Sequence, residues 1–87
     1  MTEEYIKQVL LERLGSTDLE QAPHCGIWYF TFTNTHHIVN VCKALNLYYG
    51  EGRYLGQINV YIDEYFDPIY RVSIQRNIEE FITNLEK

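Results

Sequence analysis

The sequence predicts an α+β domain, a small antiparallel sheet of three strands, or four, with helices packed on one face. Three observations carry this. Apolar residues recur at helical spacing near both ends of the chain, at Ile6, Val9, Leu10 and Leu14 and again at Ile78, Phe81, Ile82 and Leu85. Between them lie segments with the two-residue alternation of half-buried strands. The chain has 87 residues, 46% of them hydrophobic and 15% aromatic, which supports one core. At about 100–200 residues per domain, residues 1–87 are read as a single unit.

The first helix is predicted over residues 2–14. Thr2 caps it, and Glu3 and Glu4 complement the positive end of the helix dipole. Gly15 supplies the stop. Residues 15–24, GSTDLEQAPH, are rich in turn formers and read as the longest loop.

Residues 26–33, GIWYFTFT, form the clearest strand, with aromatic and β-branched side chains throughout. Trp28, Phe30 and Phe32 share one face and are expected in the core, whereas Tyr29, Thr31 and Thr33 share the other.

Residues 35–49 fit two patterns. As a helix, Thr35 caps the segment, Ile38, Val41, Cys42, Leu45 and Tyr49 form its apolar face, and Gly50 ends it. As strands, Val39, Val41, Leu45, Leu47 and Tyr49 alternate, and Asn34-Thr35 becomes a hairpin turn before them. Asn40, Lys43, Ala44 and Asn46 are poor strand formers and favour the helix. The strand pattern would give one helix, four strands and one helix; a helix–three-strand–helix order would resemble double-stranded-RNA-binding modules, but the basic contacts those modules need are missing.

A hairpin is predicted from residues 54–63 and 69–75. Ile58, Val60 and Ile62 alternate with Gln57, Asn59, Tyr61 and Asp63, and Tyr70, Val72 and Ile74 alternate with Ile69, Arg71 and Ser73. Pro68 cannot donate to a ladder and is assigned to the turn. The last helix covers 77–87, where Asn77 and Glu80 stand at capping-box spacing.

Charge narrows the function classes. Twelve acids against seven bases give a net charge of −5, and the bases form no run. Nucleic-acid affinity and attraction to anionic membranes both draw on clustered Lys and Arg, so direct nucleic-acid binding and membrane binding are disfavoured. A protein partner with a basic surface suits the charge better. The N-terminal MTEEYIKQVL has acids where a signal peptide carries its positive region. The expected location is cytoplasmic, the host cytoplasm for a phage-encoded chain. Cys25 and Cys42 are read as free thiols in a reducing compartment.

Four constellations could carry chemistry. Tyr61 to Tyr70 holds three carboxylates and three tyrosines in YIDEYFDPIY. Tyrosines give large contact areas at small entropic cost, and carboxylates pair with Lys or Arg. The candidate partner-binding residues are Tyr61, Asp63, Glu64, Tyr65 and Asp67. The ordinary alternative is a solvated hairpin end, with Tyr61, Phe66 and Tyr70 partly in the core. His24-Cys25, His36-His37 and Cys42 offer zinc donors but lack any compact ligand spacing, so no metal or other cofactor is expected. A Cys25 nucleophile, or acid–base work by Asp63 and Glu64, would need a cleft that a chain this small has little volume to form; no catalysis is expected. The Gly50-Glu51-Gly52 stretch lacks P-loop spacing and reads as a turn. Finally, Tyr29 and Tyr61 could stack bases, but Asp63 shares their face and Arg71 is the one base there.

The profile (under 100 residues, acidic, tyrosine-rich, α+β, without a catalytic motif) is similar to nuclease immunity proteins and to phage-encoded inhibitors of bacterial defence. The likeness is compositional and assigns no residue. The resulting expectation is a non-catalytic protein-binding module, an inhibitor or immunity-type factor covering a basic site on a nucleic-acid-handling protein. The alternative is a small homo-oligomeric scaffold, a homodimer in its simplest form, because so many aromatics exceed what one small core easily hides.

Overall fold

The element order is helix α1 (Glu3–Leu14), strand β1 (Glu20–Gln21), strand β2 (Trp28–Phe32), a 3₁₀ turn at Thr35–His37 running into helix α2 (Ile38–Ala44), strand β3 (Gly56–Ile62), strand β4 (Pro68–Ile74) and helix α3 (Ile78–Glu86). The computed structural model describes residues 1–47 and 53–87. All pairings are antiparallel, and the four strands lie in the order β1-β2-β4-β3. The α+β class and the antiparallel sheet are therefore as the sequence predicts.

Both terminal helices form for the reasons read from the sequence. The Thr2 hydroxyl accepts from Tyr5 N at 3.1 Å, and Gly15 closes α1 at φ 69°. Positive φ is strained for a residue with a Cβ, so glycine is the natural stop there. Asn77 Oδ1 accepts from Glu80 N at 3.1 Å and starts α3. The stripes Ile6, Val9, Leu10, Leu14 and Phe81, Ile82, Leu85 are buried, and Ile78 packs at the margin of the same cluster. Tyr5 Oη donates to Glu86 Oε2 at 2.7 Å and ties the two helices together.

The core is one cluster between the helices and a single sheet face. Phe30, Phe32, Tyr70, Val72 and Ile74 enter it from the sheet, with Trp28 and Ile58 partly buried beside them. Phe30 meets Phe81 of α3 with ring centroids 5.8 Å apart, and Phe32 stacks on Tyr70 at 5.0 Å. Such aromatic pairs are worth about 0.5–1.5 kcal/mol beyond the area they bury. The opposite face carries Tyr29, Thr31, Gln57, Asn59, Tyr61, Arg71 and Ser73 by strand alternation.

The structure corrects three local readings. The segment 15–24 is not wholly loop: Glu20 and Gln21 pair with Tyr29 and Trp28 as the fourth strand. Two residues of pairing leave no periodicity to read.

Residues 35–49 do begin as a helix, but Asn34, not Thr35, is the cap, accepting from His36 N at 2.9 Å. The helix stops at Ala44, well before 49. Asn46 adopts φ 64°, and the N–H groups of Asn46 and Leu47 return to the Lys43 and Cys42 carbonyls. That is the Schellman closure, here with Asn in the left-handed position. Asn84 of α3 holds it by donating to Ala44 O at 3.1 Å. Of the predicted apolar face, Val41 and Leu45 are buried and Ile38 packs against the core, while Tyr49 and the Gly50 stop lie outside the described residues.

Pro68 is not in the turn; it opens β4 opposite Ile62. In an antiparallel ladder, hydrogen-bonded and non-hydrogen-bonded pairs alternate. Asp63 N donates to Asp67 O, and Gln75 N donates to Leu55 O, which puts the odd-numbered β3 residues in the bonded pairs. The Pro68 nitrogen thus points away from β3, toward the β2 side, and the last β2–β4 pair is Phe32 with Tyr70. No ladder bond is lost there.

Candidate functional site

The β3–β4 hairpin carries the candidate site. Seven residue pairs align it, from Gly56↔Ile74 to Ile62↔Pro68. Gly56 sits where a Cβ would strike the Ser73 carbonyl oxygen, so the strands approach this closely only with glycine there. β4 is central, and its inward residues fill the core. β3 is an edge strand, and only its first half reaches the helices: Gly56 is buried, Ile58 is half-buried, and Val60 and Ile62 are 59% and 61% exposed.

At the tip, Asp63 organises the turn. Its Oδ1 accepts from Tyr65 N at 2.8 Å and from Asp67 N at 2.9 Å, while Phe66 N donates to Asp63 O at 3.0 Å. This is an Asx-type turn inside a three-residue hairpin loop. Such a loop needs a left-handed residue at its end, and Phe66 fills that position at φ 65°. Glycine or asparagine is the usual occupant, and a bulky residue is a marked outlier. The Phe66 side chain is 86% exposed and that of Tyr65 75% exposed.

The five sequence-predicted residues are therefore brought together, in different roles. Tyr61 lies exposed on the open sheet face, and Glu64, Tyr65 and Asp67 are exposed at the tip. Asp63 is half-buried, with one carboxylate oxygen engaged in the turn. Sequence reasoning missed Val60, Ile62 and Phe66. The reading that put Tyr61, Phe66 and Tyr70 partly in the core holds for Tyr70 alone. Asp63 three positions ahead of Phe66 was the available signal that residue 66 closes a turn. Among the described residues the ion pairs are Met1–Glu79 and Lys7–Glu3, so none reaches the tip carboxylates.

The other constellations separate. Arg71 covers the Tyr29 ring, with its guanidinium carbon 4.7 Å from the centroid, so that ring face is occupied by a cation. Asp18 lies beside them across a shallow hollow of about 200 Å³. Its carboxylate accepts from Thr31 N at 2.9 Å and Thr31 Oγ1 at 2.6 Å, and Ser16 Oγ donates to it at 3.1 Å. Desolvation pushes the Asp18 carboxyl up, but these hydrogen bonds outweigh it and hold the group below the usual carboxylate value. Cys25 is exposed and Cys42 half-buried, and burial pushes the Cys42 thiol up. Among the described residues no three of His, Cys, Asp and Glu come together as a metal-ligand set. Nor is any helix there long and apolar enough to cross a membrane. The Gly50-Glu51-Gly52 stretch lies outside the described residues.

The fold and site define an α+β domain with an acidic, aromatic hairpin projecting beyond its core. Comparison with protein-family models, with curated proteins and with solved structures gave no match.

Proposed function

We propose that this chain is a non-catalytic protein-binding module, an inhibitor or immunity-type factor whose hairpin tip covers a basic site on a nucleic-acid-handling protein. One observation carries the reading: Phe66 is almost fully exposed in a backbone conformation that disfavours it, within a run of three carboxylates. A bulky residue held left-handed costs stability and gains nothing from the core, a pattern associated with functional sites. Tyr65 and Phe66 would fill an apolar pocket on the partner, while Glu64 and Asp67 pair with its Lys and Arg. The remaining acids add long-range attraction and speed encounter.

The test is co-purification from nuclease-treated host lysate in moderate salt, comparing wild type with Glu64→Lys/Asp67→Lys. Asp63 is left intact because it holds the turn. A single basic partner should be retained by wild type and lost by the variant. With that partner purified, Tyr65→Ala should weaken binding by about 30-fold, the effect of a hot spot worth about 2 kcal/mol. If the folded charge-reversed and Tyr65→Ala variants bind as wild type does, the tip is not the interface.

A further inference from the structure

The two edges of the sheet are finished differently. On one side β2 is covered by β1, and where β1 ends the Asp18 carboxylate takes the free Thr31 N–H. On the other side β3 ends the sheet, and among the described residues no strand pairs with its outer edge. Natural edge strands are blunted by charges, proline or bulges. The seven residues of β3, GQINVYI, contain no charge and no proline, and the register with β4 runs without a bulge. By the ladder alternation above, the N–H and C=O groups of Ile58, Val60 and Ile62 point outward from this edge.

We infer that β3 pairs antiparallel with β3 of a second copy about a two-fold axis at Val60, joining the two four-stranded sheets into one. The pairing is self-complementary in three respects. With Val60 opposite Val60 of the other copy, half-buried Ile58 falls opposite exposed Ile62, so the apolar side chains of one face meet their own kind. The outward backbone groups of these same residues then exchange ladder bonds, because residues opposite one another share parity. The charges also match. Arg53 precedes the strand, and Arg76 borders the groove beside Gly56 and Ile58; both are exposed. Glu64 and Asp67 follow the strand's far end. Antiparallel pairing places the arginine end of one copy beside the acidic end of the other, whereas a parallel arrangement would stack like on like. A symmetric interface of this kind closes at two subunits. This inference rests on the strand edge but draws on the same Glu64 and Asp67 as the proposed partner contact, so its test uses purified protein alone and a change at Val60, outside the tip.

Sedimentation velocity over a wide concentration range should show a monomer–dimer equilibrium that weakens with salt, since exposed charges are screened. Val60→Lys places two like charges on the axis and should leave only monomer. Val60 is exposed, so the variant should keep the wild-type circular dichroism and, at concentrations where the wild type is monomeric, its unfolding temperature. Amide hydrogen exchange supplies a second readout: the Ile58, Val60 and Ile62 amides should become protected as concentration rises, while the Asn59 and Tyr61 amides, already bonded to β4, should change little. Wild-type protein that stays monomeric throughout would overturn the proposal. So would a dimer that survives Val60→Lys, or one that forms without protecting these three amides.

Discussion

Replacing Phe66 with glycine should make the protein more stable while removing its most exposed aromatic side chain. The backbone there has φ 65°, a region that a residue with a Cβ occupies at a cost of about 1–2 kcal/mol. The side chain is 86% exposed, so deletion opens no cavity and removes little packing. Glycine is freer in the unfolded chain, which returns about 0.4–1 kcal/mol of the gain. The net expectation is a stabilisation between about 0 and 1.6 kcal/mol, centred on about 0.8 kcal/mol. For a domain of this size the central value raises Tm by about 3–6 °C. Thermal and urea unfolding followed by circular dichroism would measure it, with Phe66→Val as the counter-variant. A β-branched residue relieves no strain and should leave Tm unchanged or lower. A Phe66→Gly protein that melts below wild type would refute the reasoning, because Phe66 would then be making contacts in the folded state. If the glycine variant is more stable yet binds the partner more weakly, stability is being sacrificed at this position for recognition.

Three further outcomes follow from the packing and the titratable groups. Phe81 is fully buried against Phe30, so Phe81→Ala should lose about 3–5 kcal/mol, read as a large fall in the urea midpoint; a loss under about 1 kcal/mol would contradict the core described. The Asp18 carboxyl is lowered in the folded state, so its contribution is present above the ordinary carboxylate range and is lost as pH falls through the lowered value. Asp18→Asn should therefore lower stability at neutral pH by about 1 kcal/mol at most, given its exposure, and flatten the acid limb of a stability–pH profile; an unchanged acid limb would count against it. Cys25 is exposed whereas burial raises the Cys42 thiol, so in native protein an alkylating reagent near neutral pH should modify Cys25 first; equal rates would show that the Cys42 environment is open.

Much of the scaffold was legible because it is written in periodicity and caps. The stripes of α1 and α3, the Thr2 and Asn77 caps, and the Trp28, Phe30, Phe32 face each follow from local spacing. What escaped was decided by contacts between distant segments. The length of α2 was set by the Asn46 closure and by Asn84, which lies 38 residues on and bonds Ala44 O and Asn46 Oδ1. β1 is too short to show alternation, and Asp18 is a sheet-edge cap only because Thr31 comes beside it. The acidic aromatic run was visible as a candidate, but its inner organisation was not. Asp63 and Phe66 look like a ligand and a core residue, yet they are the keystone and the exposed apex of one turn.

By itself, then, the sequence determined the class of fold, the ends of α1 and α3, the strand faces and the acidic hairpin. These depend on 3.6- and two-residue periods and on side chains that bond the backbone within a few positions. The tertiary structure decided which apolar residues are core and which are surface. Ile58, Val60 and Ile62 alternate identically in the sequence, but β3 lies at the edge of the sheet and outruns the helices that cover it. The same pattern is therefore half-buried at one end of the strand and open to solvent at the other.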